Sequence, residues 1–146
     1  MRQQHQQLSL LVAFCLMHSA WLYADDLLET GVRGFDRGEY HAASQSWLLL
    51  AETGHAEAQL FMGVLYRYGL GVDQSSGDSA YWYERAAENG EIDAQNEIGF
   101  IYELGLGVEQ NVDKAASWYE QVRAQDICLT DTHATGRLII DESMKP

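Results

Sequence analysis

Apolar residues recur at helical spacing through most of the chain. In residues 58–69 they fall at Ala58, Met62, Leu65 and Tyr66, the three-to-four-residue interval of a helix with one buried face. The glycine-rich sequence 69–71 interrupts this pattern, as glycine commonly does at a helix C-terminus. A second apolar stretch begins after Ser75 and runs to residue 87. The pattern therefore predicts two helices joined by a short loop.

The same pattern returns 36 residues later. Residues 58–90 and 94–126 are identical at 13 of their 33 aligned positions, where background composition would give about two. A fixed period of this length is typical of a solenoid, because one unit cannot bury its apolar face without a neighbour. We therefore predict stacked helical units.

The repeat divides the chain into segments. Residues 55–90 and 91–126 form full units, and residues 25–54 form a shorter first unit with helices over 27–35 and 40–53. Residues 127–146 form a C-terminal cap and tail, in which 130–140 can form one more helix. The predicted fold class is all-α, a short α-solenoid of antiparallel helix pairs, with about three pairs plus a C-terminal capping helix.

The first 24 residues differ in character from the rest. A single Arg2 precedes an apolar run, Leu8–Leu22, that is followed by Tyr23-Ala24 and contains no acidic residue. This order predicts a secretory signal peptide, residues 1–24, and an exported protein that is periplasmic or secreted. Two alternatives stay open: an uncleaved membrane anchor, and a lipoprotein acylated at Cys15.

Charge narrows the range of partners. Without residues 1–24 the chain carries 8 basic and 22 acidic residues, a net charge of −14. Nucleic acid and anionic membrane surfaces both repel such a chain, so we expect no nucleic-acid partner and no stable membrane insertion after signal cleavage. The charge fits a soluble exported protein, and it also fits a basic protein or peptide partner.

Two segments of the repeat resemble the Sel1-like repeat family, which is related to the tetratricopeptide repeat. They read AQLFMGVLYRYGLGV…AYWYERAAENG from Ala58 and AQNEIGFIYELGLGV…ASWYEQV from Ala94. The resemblance implies an α-solenoid that serves as an adaptor between proteins, and exported bacterial members are tied to envelope assembly, signalling and host contact. The third unit departs from the family pattern at Val122 and Asp126.

The chain offers no recognisable catalytic constellation. The Gly-Leu-Gly-Val loops follow helices, whereas a phosphate cradle follows a strand. The histidines lack metal-ligand spacing, and no serine sits in a nucleophile motif. We therefore expect a protein that is not an enzyme and has no cofactor, metal or catalytic residue.

The resemblance to tetratricopeptide-like pairs implies that the first helix of each unit lines a concave face. The repeat register then predicts eleven partner-binding residues: Leu28, Val32, Phe35, Leu60, Val64, Arg67, Tyr68, Asn96, Phe100, Glu103 and Leu104. Among them, Val64, Tyr68 and Phe100 lie where internal packing should not need an apolar residue. Such a groove suits a helix or an extended peptide. The alternative is that some of these side chains pack against adjoining helices or the C-terminal tail.

Two functions remain. The first is an exported, non-catalytic protein–protein interaction adaptor, in the bacterial cell envelope, that uses the concave face. The second is an acidic inhibitor or immunity-type protein that binds and blocks a basic enzyme partner. The net charge favours the second, because complementary charge speeds association, whereas the repeat favours neither.

We predict that the mature chain begins at Asp25, because the apolar run ends in Leu22-Tyr23-Ala24 and polar residues follow. N-terminal sequencing of protein recovered from the envelope or the medium checks this. A chain that still begins at Met1 would contradict it.

Overall fold

The computed structural model describes residues 23–125, which form six helices and no strand. Their bounds are α1 23–36, α2 Tyr40–Glu52, α3 Ala56–Tyr68, α4 Ser76–Glu88, α5 Ile92–Leu104 and α6 112–125. Helices α2 to α5 each pack on their neighbours along the chain, and α1 contacts α2 as α6 contacts α5, so consecutive helices form antiparallel pairs and the pairs stack. The predicted α-solenoid is confirmed. Within residues 23–125 no helix is both long and apolar enough to cross a bilayer.

Several helix bounds differ from the predicted ones. Helix α1 already includes residue 23, the first described residue, so it extends over the last two residues of the predicted signal peptide and beyond the predicted start at 27. Helix α2 ends at Glu52, one residue early, and α3 begins at Ala56, two residues before the repeated alanine. The predicted capping helix over 130–140 and residues 1–22 of the signal lie outside the described residues.

Side chains at the loop ends start three of the helices. The Ser75 hydroxyl accepts a hydrogen bond from the Asp78 amide at 3.2 Å, and Asn111 Oδ1 accepts one from the Lys114 amide at 2.9 Å. His55 Nδ1 accepts from the Ala58 amide at 3.4 Å, so this histidine is a helix cap at the junction between units. Polar residues at these positions thus fix where these three helices begin.

The core lies in two clusters, one at each junction between units. The first is built around Ala43, Trp47, Leu50, Ala51, Ala58, Met62, Leu65 and Trp82. The second is built around Ala80, Tyr83, Ala86, Ala87, Ala94, Ile98, Ile101, Tyr102 and Ala115. The many alanines bring helix backbones close together, and the large residues fill the remaining space.

Each helix pair places a glycine of its first helix against a ring of its second helix. A Cβ added at Gly31 would come within 2.1 Å of Trp47, and one added at Gly63 within 2.9 Å of Tyr83. Gly99 and Tyr119 repeat this arrangement at 2.7 Å. The first unit, whose sequence follows the repeat only loosely, therefore packs by the same rule as the other two.

A buried amide chain also follows the repeat. Gln59 Nε2 donates to the Ala51 carbonyl at 2.9 Å, and Asn89 Nδ2 donates to Gln59 Oε1 at 2.8 Å. Gln95 and Gln125 make the corresponding bonds one unit later, each at 3.2 Å. Because each amide is satisfied, these polar groups join neighbouring units without leaving an unpaired group in the core.

Trp82 and Trp118 lie 36 residues apart, at the same position of the repeat, which predicts equivalent core residues, yet they differ in burial. Trp82 is a buried member of the first cluster, whereas Trp118 is only half-buried against the second. The same loss of cover affects the neighbouring position: Tyr83 is buried, whereas Tyr119 is half-buried. Helix α5 packs on α4, whereas α6 is the last helix that the structure describes. The prediction of equal burial is therefore wrong for the described residues.

We expect Trp82→Ala to lower the free energy of unfolding by ~3–5 kcal/mol, because it leaves a large cavity in a closed cluster. Trp118→Ala should cost clearly less, since part of its ring already meets water. Urea unfolding followed by circular dichroism measures both, with Leu49→Ala as an exposed control. A smaller loss for Trp82→Ala than for Trp118→Ala would contradict this account.

The second glycine of each Gly-Leu-Gly loop lies against the start of a helix in the preceding unit. Gly71 has φ +71°, and a Cβ there would lie 2.3 Å from the carbonyl carbon of Tyr40. Gly107 has φ +76° and the same separation from the carbonyl carbon of Ser76. These loops therefore hold consecutive units in register through backbone contact.

We expect Gly71→Ala and Gly107→Ala each to destabilise the protein by more than ~2 kcal/mol, because strain in the left-handed region, ~1–2 kcal/mol, adds to a backbone clash. Gly54→Ala is the matched control: its φ is +95°, yet nothing lies within 4 Å of the added Cβ. Chemical denaturation measures the three variants. Equal losses for Gly54→Ala and Gly71→Ala would show that the clash contributes nothing.

Candidate partner-binding face

The first helices of the three units, α1, α3 and α5, together form what we call the first-helix face. Equivalent positions on these helices are 32 residues apart between α1 and α3 and 36 residues apart between α3 and α5. Two rows of equivalent positions cross the face. The first row is Val32, Val64 and Phe100, and the second row is Asp36, Tyr68 and Leu104.

Four of the eleven predicted residues are apolar or aromatic and exposed: Val32, Tyr68, Phe100 and Leu104. Tyr68 has 63% of its surface exposed and Phe100 has 40%. Neither is needed to close a core cluster, as the sequence predicted. These four side chains leave apolar surface on the face that the repeat packing does not use.

Four others contribute to the core. Leu28 and Phe35 pack on the first cluster, and Leu60 and Val64 pack on the second. The expectation that internal packing does not need Val64 is therefore wrong, because this side chain is half-buried beside the second cluster. For these four residues the alternative interpretation holds, in which the side chains pack against adjoining helices.

Arg67 is engaged within the chain. Its guanidinium forms an ion pair with Glu97 that joins α3 to α5. Tyr83 lies beside this pair, and burial raises the pKa of Tyr83 to about 12, so its phenol stays protonated at neutral pH. Arg67 thus stabilises the second junction directly, and its role toward a partner stays a prediction.

Asn96 and Glu103 also bond within the chain. Asn96 Nδ2 donates to the Ile92 carbonyl at 3.3 Å, and Glu103 Oε2 accepts from the Tyr119 hydroxyl at 3.1 Å. Both residues are exposed, so their side chains also reach the solvent on this face. Burial and the bond to Glu103 raise the pKa of Tyr119.

A recess of about 290 Å³ opens at the junction between the first two units. Its lining is Val32, Phe35, Asp36, Trp47, Phe61 and Val64. Trp47 stacks on Phe61 with ring centroids 4.4 Å apart and contacts Phe35 at 5.8 Å. The recess is therefore aromatic and aliphatic, with one carboxylate.

Sequence reasoning missed three of these lining residues: Asp36, Trp47 and Phe61. Trp47 belongs to a second helix, and its ring reaches this face only because Gly31 leaves space for it. Phe61 is the counterpart of Glu97, 36 residues later, so the change from charged to aromatic at one repeat position was the available signal.

The described residues hold no cluster suited to a metal ion: residues 23–125 contain no group of three or more histidine, cysteine or acidic side chains so placed. Every buried side-chain nitrogen or oxygen in this part of the chain has a hydrogen-bond partner. The face therefore offers shape, apolar surface and charge for binding.

Comparison with known proteins agrees with this architecture. The family model described as "Sel1 repeat" matches residues 56–91 and 92–125. Sel1 repeats generally serve protein–protein interaction, and their fold is typically a non-catalytic scaffold. No curated protein matches the chain in sequence.

Two solved structures are similar. A Sel1 repeat protein from Oxalobacter formigenes has 32% sequence identity and a TM-score of 0.63, over 67% of this chain. A protective antigen of uropathogenic Escherichia coli strains that displays an SLR fold has 30% identity and a TM-score of 0.66, over 70% of this chain. The chain covers only 40% of the first protein and 23% of the second.

The repeated sequence, the stacked helix pairs and these matches agree: residues 56–91 and 92–125 of this chain are Sel1 repeats.

Proposed function

We propose that this protein is an exported, non-catalytic adaptor that binds a protein or peptide partner on its first-helix face. The observation that carries the proposal is the exposed apolar surface of Val32, Tyr68, Phe100 and Leu104. A Sel1 repeat needs its glycines, alanines and paired aromatic residues for stacking, yet these four residues lie outside both core clusters. Exposed apolar residues aligned across several units are typical of a surface that a partner covers.

The shape of the face supports a helix or an extended segment as the bound element. The two rows of equivalent positions run across all three units, so a partner lying along them would contact each unit in turn. Aromatic side chains such as Tyr68 and Phe100 contribute most to binding when a partner buries them fully.

Export is part of the proposal and rests on the N-terminal sequence. An apolar run without acidic residues ends at residue 22, and the remaining chain is strongly acidic. We place the protein in the periplasm or outside the cell, where such a scaffold would join envelope proteins.

The second candidate function is inhibition of a basic enzyme. Residues 23–125 contain 18 acidic and six basic residues, and this surplus favours a positively charged partner. An activity assay on a purified enzymatic partner separates the two functions, since an inhibitor stops turnover at stoichiometric amounts and an adaptor leaves it unchanged.

We predict that Tyr68→Ala with Phe100→Ala weakens partner binding by at least ~2 kcal/mol, about 30-fold in Kd, because it removes two central aromatic contacts. To obtain the partner, a photo-crosslinking amino acid is placed at position 68 in the producing cells, and the cross-linked protein is identified and purified. Titration calorimetry then measures its affinity for wild type and variants.

The matched control is Leu49→Ala with Tyr81→Ala, on the second helices α2 and α4. These side chains are similarly exposed, at 57% and 49%, but lie off the first-helix face. Both double variants should keep the wild-type helical content and melting temperature. Wild-type affinity in the Tyr68/Phe100 variant, or an equal loss of affinity in the two double variants, would refute the assignment of partner binding to the first-helix face.

A further inference from the structure

The two junctions of the first-helix face carry different chemistry at equivalent positions. Phe35 and Phe61 of the first junction correspond to Arg67 and Glu97 of the second. The second pair closes its junction with an ion pair, whereas the first pair leaves an aromatic recess beside it. The face is therefore apolar and concave at the first junction and bridged by charges at the second.

The recess is suited to one large apolar side chain. Its volume of about 290 Å³ exceeds the ~150 Å³ of an apolar protein cavity that binds benzene. The Trp47 indole N–H donates to the Leu28 carbonyl at 3.2 Å, so it has no need of a hydrogen bond from a ligand. Apolar atoms of a ligand could therefore cover the aromatic wall without leaving the Trp47 N–H unpaired.

Asp36 adds a charge to the rim of this recess. It is exposed and forms no ion pair with any residue in 23–125. The two arginines nearest in sequence are placed elsewhere: Arg33 lies 3.9 Å from Asp26, and both Arg33 and Arg37 line a separate recess with Glu39. At the equivalent positions of the next units stand Tyr68 and Leu104, so only the first unit offers a carboxylate there.

We propose that the first-junction recess is the anchor pocket for the partner: it takes one phenylalanine or large aliphatic side chain, and Asp36 pairs with a lysine or arginine beside that side chain. The inference rests on the proposed function and specifies the partner segment as basic with an apolar anchor. Charge complementarity selects this occupant, because an acidic rim on a chain of net charge −13 repels anionic segments.

The test uses three acetylated five-residue peptides and the full mature chain. The first peptide has one phenylalanine between two pairs of lysines. The second has alanine in place of phenylalanine, and the third has glutamates in place of the lysines. Two-dimensional NMR follows the backbone amide of Phe61 and the indole N–H of Trp47, which report on the recess itself.

We expect the first peptide to shift both signals and the other two to bind at least fivefold more weakly. Val32→Asp and Asp36→Lys should each raise the Kd of the first peptide at least fivefold. Their matched controls, Leu49→Asp and Glu88→Lys, make the same chemical changes at exposed sites on the second helices and should stay within twofold of wild type. Circular dichroism checks that all four variants fold.

Equal binding of the lysine and glutamate peptides, or unchanged affinity in Val32→Asp, would overturn the proposal. Without peptide, a shift of the Trp47 signal on dilution would also overturn it, since the recess would then hold a second copy of the chain. A peptide-free shift in Ile139→Asp, a change within the C-terminal segment 127–146, would do the same, since the recess would then hold that segment. If the cross-linked partner needs Tyr68 and Phe100 but tolerates Val32→Asp and Asp36→Lys, the anchor pocket is wrong and the proposed function stands. If the partner binds all of these variants with unchanged affinity, both the anchor pocket and the proposed function are wrong.

Discussion

The insertion of an aromatic ring into the gap above a glycine is the contact on which the rest of this structure depends. It occurs in all three helix pairs, at Gly31 with Trp47, Gly63 with Tyr83 and Gly99 with Tyr119. Any larger residue at the glycine would overlap the ring, so the contact fixes how closely the two helices of a pair approach. The spacing within pairs then sets how the alanine-rich surfaces of successive pairs meet.

The repeated residues are used for packing within and between units. The positions that differ between units therefore determine how the surface of one unit differs from that of the next. Phe61 and Glu97 occupy the same repeat position, yet one stacks on Trp47 and the other pairs with Arg67. Phe61 joins α3 to the second helix α2 through apolar contact, whereas Glu97 joins the first helices α5 and α3 through opposite charge. The same backbone thereby presents an apolar recess at one junction and an ion pair at the next. The two ends of the first-helix face therefore differ in chemistry.

Positions along the stack are also unequal in burial. Trp82 is buried at the first junction, whereas Trp118, in the same repeat position, is half-buried in the last helix that the structure describes. A solenoid unit covers its neighbour's side chains, so burial of a given repeat position depends on which units flank it. Identical sequence in two units therefore does not give identical energetic contributions.

The sequence by itself determined the helix pairs and their order, because a 36-residue period with repeated glycines and aromatic residues is typical of few other structures. The Sel1 repeats were indicated separately, by the resemblance of two segments to that family's pattern. The sequence also predicted that packing does not need Tyr68 and Phe100, and both side chains are exposed. The tertiary structure decided that Val64 packs inward, that Arg67 is paired, and that Trp47 and Phe61 form a recess with Asp36. Those features depend on contacts between residues of different units, and the repeat pattern of one unit carries no information about which neighbour a side chain meets.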